Sequence, residues 1–192
     1  MAKKRVLAKI DYNVKAHKDF YLFHITHKSS FIYLMPILMI LMMIFMLNGN
    51  NNIFTYIIYI SFCVLIMAGY IWLSVNMNVK RDYKTRKNTS ETIEISKDNI
   101  YREELTDGEV TGKDIIGWYQ IFNVYEVKKY FYIYTSNDRG FMVPKDNILE
   151  GSVEQIREYM FKYLKPNQKG KVPFKQSKSI KREIKHGLSK WL

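Results

Sequence analysis

The chemistry this chain could carry starts with His17, His24 and His27. His24 and His27 stand three apart, so on a helix they share a face, and with Asp19 they could chelate a metal ion. No motif supplies a third fixed ligand. Amphipathic side chains with polar tips at an interface account for these residues better, and no metal site is expected. No histidine occurs between residues 28 and 185, which removes Ser-His and Cys-His nucleophile pairs from that stretch. Gly108, Gly112 and Gly117 are spaced by turns and not as a phosphate-binding loop. Glu103-Glu104 and Asp107-Gly108-Glu109 concentrate acid where a solvated hairpin turn is expected. Lys128-Lys129 falls in another turn, where a lipid headgroup could bind but a solvated pair is the simpler reading. Trp118, Tyr119, Phe131, Tyr132 and Tyr134 could line a ligand groove; sheet packing is the expectation, with Trp118 and Phe131 buried in the sheet. Cys63 is the sole cysteine, so no intramolecular disulfide can form. No catalytic residue, cofactor or metal is expected, and the chain reads as a non-enzyme.

One set of residues has a positive expectation. Ile180, Ile184, Leu188 and Trp191 or Leu192 recur every three to four positions, so a helix would gather them on one face. Lys178, Lys181, Arg182, Lys185 and Lys190 fill the rest of it. At a bilayer the apolar face would enter the interface and the cations would meet anionic headgroups, at ~1 kcal/mol per nearby Lys or Arg. Gly187 weakens the helix by ~1 kcal/mol relative to Ala. A disordered solubilising tail is therefore the competing reading of residues 165–192, and a partner-protein groove a third.

Position is set by the stretch that divides the chain. From Ser29 to Val79 there is no Asp, Glu, Lys or Arg. Two apolar runs, Phe31–Leu47 and Ile53–Val75, flank the polar Asn48–Asn52 turn. Backbone polar groups in hydrocarbon must bond internally, so such runs must be helical there. At ~1.5 Å per residue they reach ~26 and ~34 Å, against a hydrocarbon core of ~30 Å. Residues 31–79 are expected to form a two-span transmembrane hairpin. Tyr33, Tyr56, Tyr59, Tyr70 and Trp72 lie towards the run ends, as an interfacial aromatic belt would.

Formal net charge is +12. It divides into +5 over residues 1–30, −1 over 80–164 and +8 over 165–192, with none in the hairpin. Basic flanks outside both spans place both termini in the cytoplasm by the positive-inside rule. The cell membrane, with its anionic inner leaflet, is the expected partner of the basic arms. No nucleic-acid-binding motif is present, and nucleic acid is not expected.

Residues 1–30 read as a strand and an interfacial helix. Ile10, Tyr12 and Val14 alternate with polar residues, and this strand should pair with a later sheet because a lone strand is unstable. Ala16–Lys28 has helical spacing. Residues 80–90 are charged and apolar-poor, a linker into which the second span can continue for a turn or two. Residues 91–164 read as an α+β domain of five to seven strands and one helix. Strands are expected at Thr92–Ser96, Ile100–Leu105, Val110–Lys113, Trp118–Val127, Phe131–Thr135 and Phe141–Val143. Asp107-Gly108 is a strong hairpin signal. Ser152 and Gln155 form a capping box for a helix whose apolar face is Val153, Ile156, Met160 and Tyr163/Leu164. That helix should cover an edge or end of the sheet.

The order of two spans, linker, Ile93-Glu94-Ile95, Trp118-x-x-Ile121, Glu126, Phe131-Tyr132-Ile133-Tyr134 and Pro144-Lys145 resembles the YcxB-like family of bacterial membrane proteins. The Tyr12…Asp19-Phe20 segment before the spans is also similar, so the resemblance covers nearly residues 9–164. It implies a pleckstrin-homology-like cytoplasmic domain, a curved antiparallel sheet capped by a C-terminal helix, on a membrane hairpin. It implies no catalytic residues. The expected function is a non-enzymatic adaptor or regulator anchored at the inner leaflet, with an unidentified protein partner. The alternative is a self-protection (immunity) protein against a toxin or bacteriocin, by analogy alone.

Overall fold

The computed structural model describes residues 5–28, 31–46, 52–166 and 170–177. It forms two compact units, Asn13–Lys87 and Met1–Tyr12 with Asn88–Leu192.

The first unit is helical. Helix α1 spans Val14–Lys28. Asn13 Oδ1 accepts from the backbone N–H groups of Lys15 (2.9 Å) and Ala16 (3.2 Å), satisfying donors that the helix start leaves open. Helix α2 spans Phe31–Met46 and holds Pro36 near its start, where a proline is tolerated. Helix α3 runs from Ile53 to Arg86, 34 residues, or ~51 Å. Asn52 caps it by accepting from Phe54 N–H at 3.0 Å. Lys80–Arg86 continues this helix by about two turns, as the reading of the linker allowed. The segment has no Gly or Pro, and Lys84 and Arg86 favour the negative end of the helix dipole. Only Lys87 and Asn88 then separate α3 from the first strand that follows.

Ile25 of α1 packs on Val75 and Val79 of α3, with Tyr21 and Ile71 against them. The Tyr21 hydroxyl donates to the Asp82 carboxylate. Burial, with that carboxylate adding to it, raises the pKa of the Tyr21 hydroxyl. The Tyr59 hydroxyl donates to the Met39 carbonyl at 3.1 Å, tying α3 to α2. Among the described residues α3 is the one helix long and apolar enough to cross a membrane.

The second unit is a double sheet closed by a helix. Strands β1 (Val6–Asp11), β2 (Thr89–Ile95), β3 (Asn99–Thr106) and β4 (Glu109–Gly117) join β8 (Ile148–Glu150) in an antiparallel sheet of order β4-β3-β2-β1-β8. An N-terminal strand thus pairs with the later sheet as expected, Val6 opposite Ile95 and Ala8 opposite Ile93. It lies earlier than the Ile10, Tyr12 and Val14 alternation suggested: Tyr12 falls past its end and Val14 starts α1. Asp107 and Gly108 turn β3 into β4 with φ of 53° and 87°, the doubly positive geometry that this dipeptide favours in hairpins.

Strands β5 (Asn123–Glu126), β6 (Tyr130–Tyr134) and β7 (Gly140–Pro144) form the other sheet with β9 (Phe174–Gln176), in the order β7-β6-β5-β9. Its β5–β9 pair is parallel. Helix α4 (Val153–Tyr163) starts where Ser152 accepts from Gln155 N–H at 3.2 Å. The Gln155 amide donates to the Tyr159 hydroxyl at 3.1 Å. The two sheets and α4 share one core, in which Val6, Ile93, Val124, Phe131, Ile133, Val143, Ile156 and Met160 are fully buried.

Two sheets replace the single curved sheet expected; the domain after α3 contributes seven strands, β2 to β8, within the five to seven expected, and β1 and β9 join them from outside it. The expected strand Trp118–Val127 divides into a 3-10 turn, Trp118–Gln120, followed by β5. Gly117 N–H donates to Gln120 Oε1 at 2.7 Å across this turn. The Trp118 indole donates to the carbonyls of Ser96 (3.2 Å) and Lys97 (3.0 Å), which holds the ring at the core and off a sheet ladder.

Candidate functional site

A buried polar arrangement in the β-rich unit centres on Glu126. On β5 the side chains of Val124 and Glu126 both point inward, so the strand's alternation buries a carboxylate beside the core. Its side chain has no solvent exposure. Lys145 follows β7 and places Nζ 2.7 Å from Glu126 Oε1, over the Phe131 ring at 4.9 Å. Arg157, one residue beyond the buried Ile156 of α4, donates to the same oxygen from Nε (2.9 Å) and Nη2 (2.7 Å). Its Nη1 also reaches Glu154 at 3.3 Å. From β9, the Gln176 amide donates to Oε2 at 2.7 Å.

Burial pushes the Glu126 carboxyl up, but the hydrogen bonds from Arg157, Lys145 and Gln176 outweigh it and hold the group below the ordinary glutamate range. An ionised carboxylate with both oxygens engaged ties elements together. Glu126 joins β5 to β9, to α4 and to the residue after β7.

A second network lies on the five-stranded sheet. Arg102 donates to Glu91 through two nitrogens, at 2.8 and 3.0 Å. It also reaches Asp114 at 3.3 Å and Glu104 at 3.6 Å. This side chain borders an open groove of about 660 Å³, which Asp114, Ile116, Thr135, Arg139 and Phe141 also line.

The residues singled out from sequence are dispersed. Trp118 is 7% exposed and Phe131 is fully buried, whereas Tyr119 is 71% exposed and leaves the aromatic set. Tyr132 and Tyr134 are buried. Lys113 pairs with Glu103 at 3.2 Å, so the acidic cluster is partly neutralised on its own sheet. Lys128 and Lys129 lie exposed in the β5–β6 turn. His17 Nδ1 is 3.0 Å from the Asn13 carbonyl, and His27 stacks on Phe23 with centroids 4.1 Å apart. The expected lipid contacts Lys178, Ile180, Lys181, Arg182, Ile184, Lys185, Leu188, Lys190 and Trp191 lie outside the described residues.

The Glu126 junction was not anticipated as a site. The signal available was one acid inside the aromatic and β-branched run Ile121–Val127, at the same parity as Val124.

Among the described residues, fold and site show one helix of membrane-crossing length and a β-rich unit held by a buried carboxylate. Residues 107–160 match the family model of the YcxB-like protein, so this stretch is YcxB-like. The match runs from the β3–β4 turn into α4 and includes Glu126, Lys145 and Arg157, but not β9. Comparisons with curated proteins and with solved structures return no match.

Proposed function

We propose that this protein is a non-enzymatic, membrane-anchored adaptor or regulator. In this reading α2 and α3 form a two-span hairpin, both termini are cytoplasmic, and a pleckstrin-homology-like β-domain works at the inner leaflet. The observation that carries it is the surface of α3. Phe54 and Ile58 are each 70% exposed, Leu65 69% and Trp72 68%, and at helical spacing they form one long stripe of large exposed apolar side chains. A continuous apolar surface of that extent needs a nonaqueous environment. The basic flanks orient the pair. The basic segment after β9 supplies a second contact with anionic lipid.

The topology is tested by single cysteines at Asn50 and at Ser177, each in a Cys63→Ser background. An impermeant thiol reagent on intact cells should label the first and leave the second untouched. The opposite pattern would move the β-domain outside and end the adaptor reading. Crosslinking in native membranes then addresses the partner: a cell-envelope protein fits an adaptor, whereas a captured toxin would replace this reading with immunity.

A further inference from the structure

Strand β9 lies beyond the YcxB-like stretch, yet it completes the second sheet. Phe174, Lys175 and Gln176 run parallel to Val124, Tyr125 and Glu126. Val124 N–H donates to the Pro173 carbonyl at 2.8 Å, and Ser177 N–H donates to the Glu126 carbonyl at 3.0 Å. Each β9 side chain meets its own partner. Phe174 packs edge-on against Phe161 with centroids 4.9 Å apart. Lys175 Nζ lies 5.3 Å from the centre of the Tyr125 ring. Gln176 donates to Glu126.

The strand is weakly held. It has three residues, none of them buried, and parallel pairing is slightly less stable per residue than antiparallel. Segments with few buried contacts open at low free energy. The acceptor side, by contrast, stays built when β9 leaves. Lys145 and Arg157 bind the other Glu126 oxygen, so the carboxylate remains ionised and aimed at the edge. Val124 and Glu126 would then present unpaired backbone groups, the usual template for strand addition.

We infer that the β5 edge is a strand-acceptor site for an extended peptide of a partner protein, with β9 as its occupant in cis. The peptide runs parallel to β5 and presents an aromatic residue, a cation and a side-chain amide at successive positions, to meet Phe161, Tyr125 and Glu126. The inference gives the adaptor reading its partner surface and rests on that reading for its biological role.

Fluorescence polarisation tests it on the full chain in detergent micelles, where the result does not depend on topology. The probe is a labelled peptide of residues 171–177, and the acceptors are wild type and a Phe174→Ala/Gln176→Ala variant. The tethered strand competes at an effective concentration of ~mM, so the variant should bind the probe at least ~10-fold more tightly than wild type. A chain ending at Gly170 is the second acceptor and should behave alike. Phe161→Ala in either acceptor should weaken binding. Absence of saturable binding to both acceptors, with near-UV circular dichroism matching wild type, overturns the site; so does binding that Phe161→Ala leaves unchanged. A wild-type dimer that the double variant loses would assign the edge to a second copy of this chain and overturn a separate partner.

Discussion

Arg157 Nη2 stands 2.7 Å from Oε1 of Glu126, a carboxylate with no solvent exposure, and Lys145 Nζ approaches the same oxygen at the same distance. One buried acid therefore pairs with Lys145 and shares Arg157 with the exposed Glu154. Removing one partner of such a group leaves uncompensated buried charge, which costs more than the intact interaction contributes.

Glu126→Ala should accordingly destabilise the β-rich unit by ~3–5 kcal/mol. Urea unfolding in detergent, followed by near-UV circular dichroism, reads the change. Glu126→Leu combined with Lys145→Met and Arg157→Leu should recover most of the loss, because no charge is left unpaired. A single variant within ~0.5 kcal/mol of wild type, as surface changes usually are, would show that the junction holds nothing.

The same carboxylate predicts a pH dependence. Its folded pKa lies below the ordinary value, so the unfolded chain takes up the proton first as pH falls. The stabilisation is complete above the unfolded value of ~4.3 and is lost as pH drops through the folded one. Thermal midpoints from pH 7 to pH 3 should fall more steeply for wild type than for Glu126→Gln. Parallel curves would contradict the assignment.

Trp118 contributes both volume and a donor. Trp118→Ala should cost ~3–5 kcal/mol by cavity formation. Trp118→Phe keeps much of the ring but leaves the Ser96 and Lys97 carbonyls without the indole donor, at ~1–3 kcal/mol. Chemical denaturation of the two variants should rank them in that order.

For the C-terminal segment, a peptide of residues 175–192 should gain helicity with anionic vesicles. Salt should weaken that gain, because exposed charges are screened, and Trp191→Ala should reduce it. Circular dichroism reads all three. A coil unchanged by vesicles would make the segment a solvated tail.

What the sequence by itself determined is local. The charge-free stretch from Ser29 to Val79 marks the apolar helices α2 and α3 through composition and length alone. Ile93 and Ile95 announce an inward face through period-two alternation, and both are fully buried. Asp107-Gly108 fixes a turn through its own backbone preferences, and Ser152 starts α4 through its own hydroxyl. These features need only neighbours in the chain. The tertiary structure decided the rest. Three-residue strands such as β8 and β9 are too short to carry a period, so only their docking on β1 and β5 defines them. Trp118 leaves the expected strand because Ser96 and Lys97 accept its indole hydrogen. Glu126 is one acid in an apolar run until Lys145, Arg157 and Gln176, up to 50 residues away, converge on it. A buried charge is tolerated only with such partners, and packing alone brings them together.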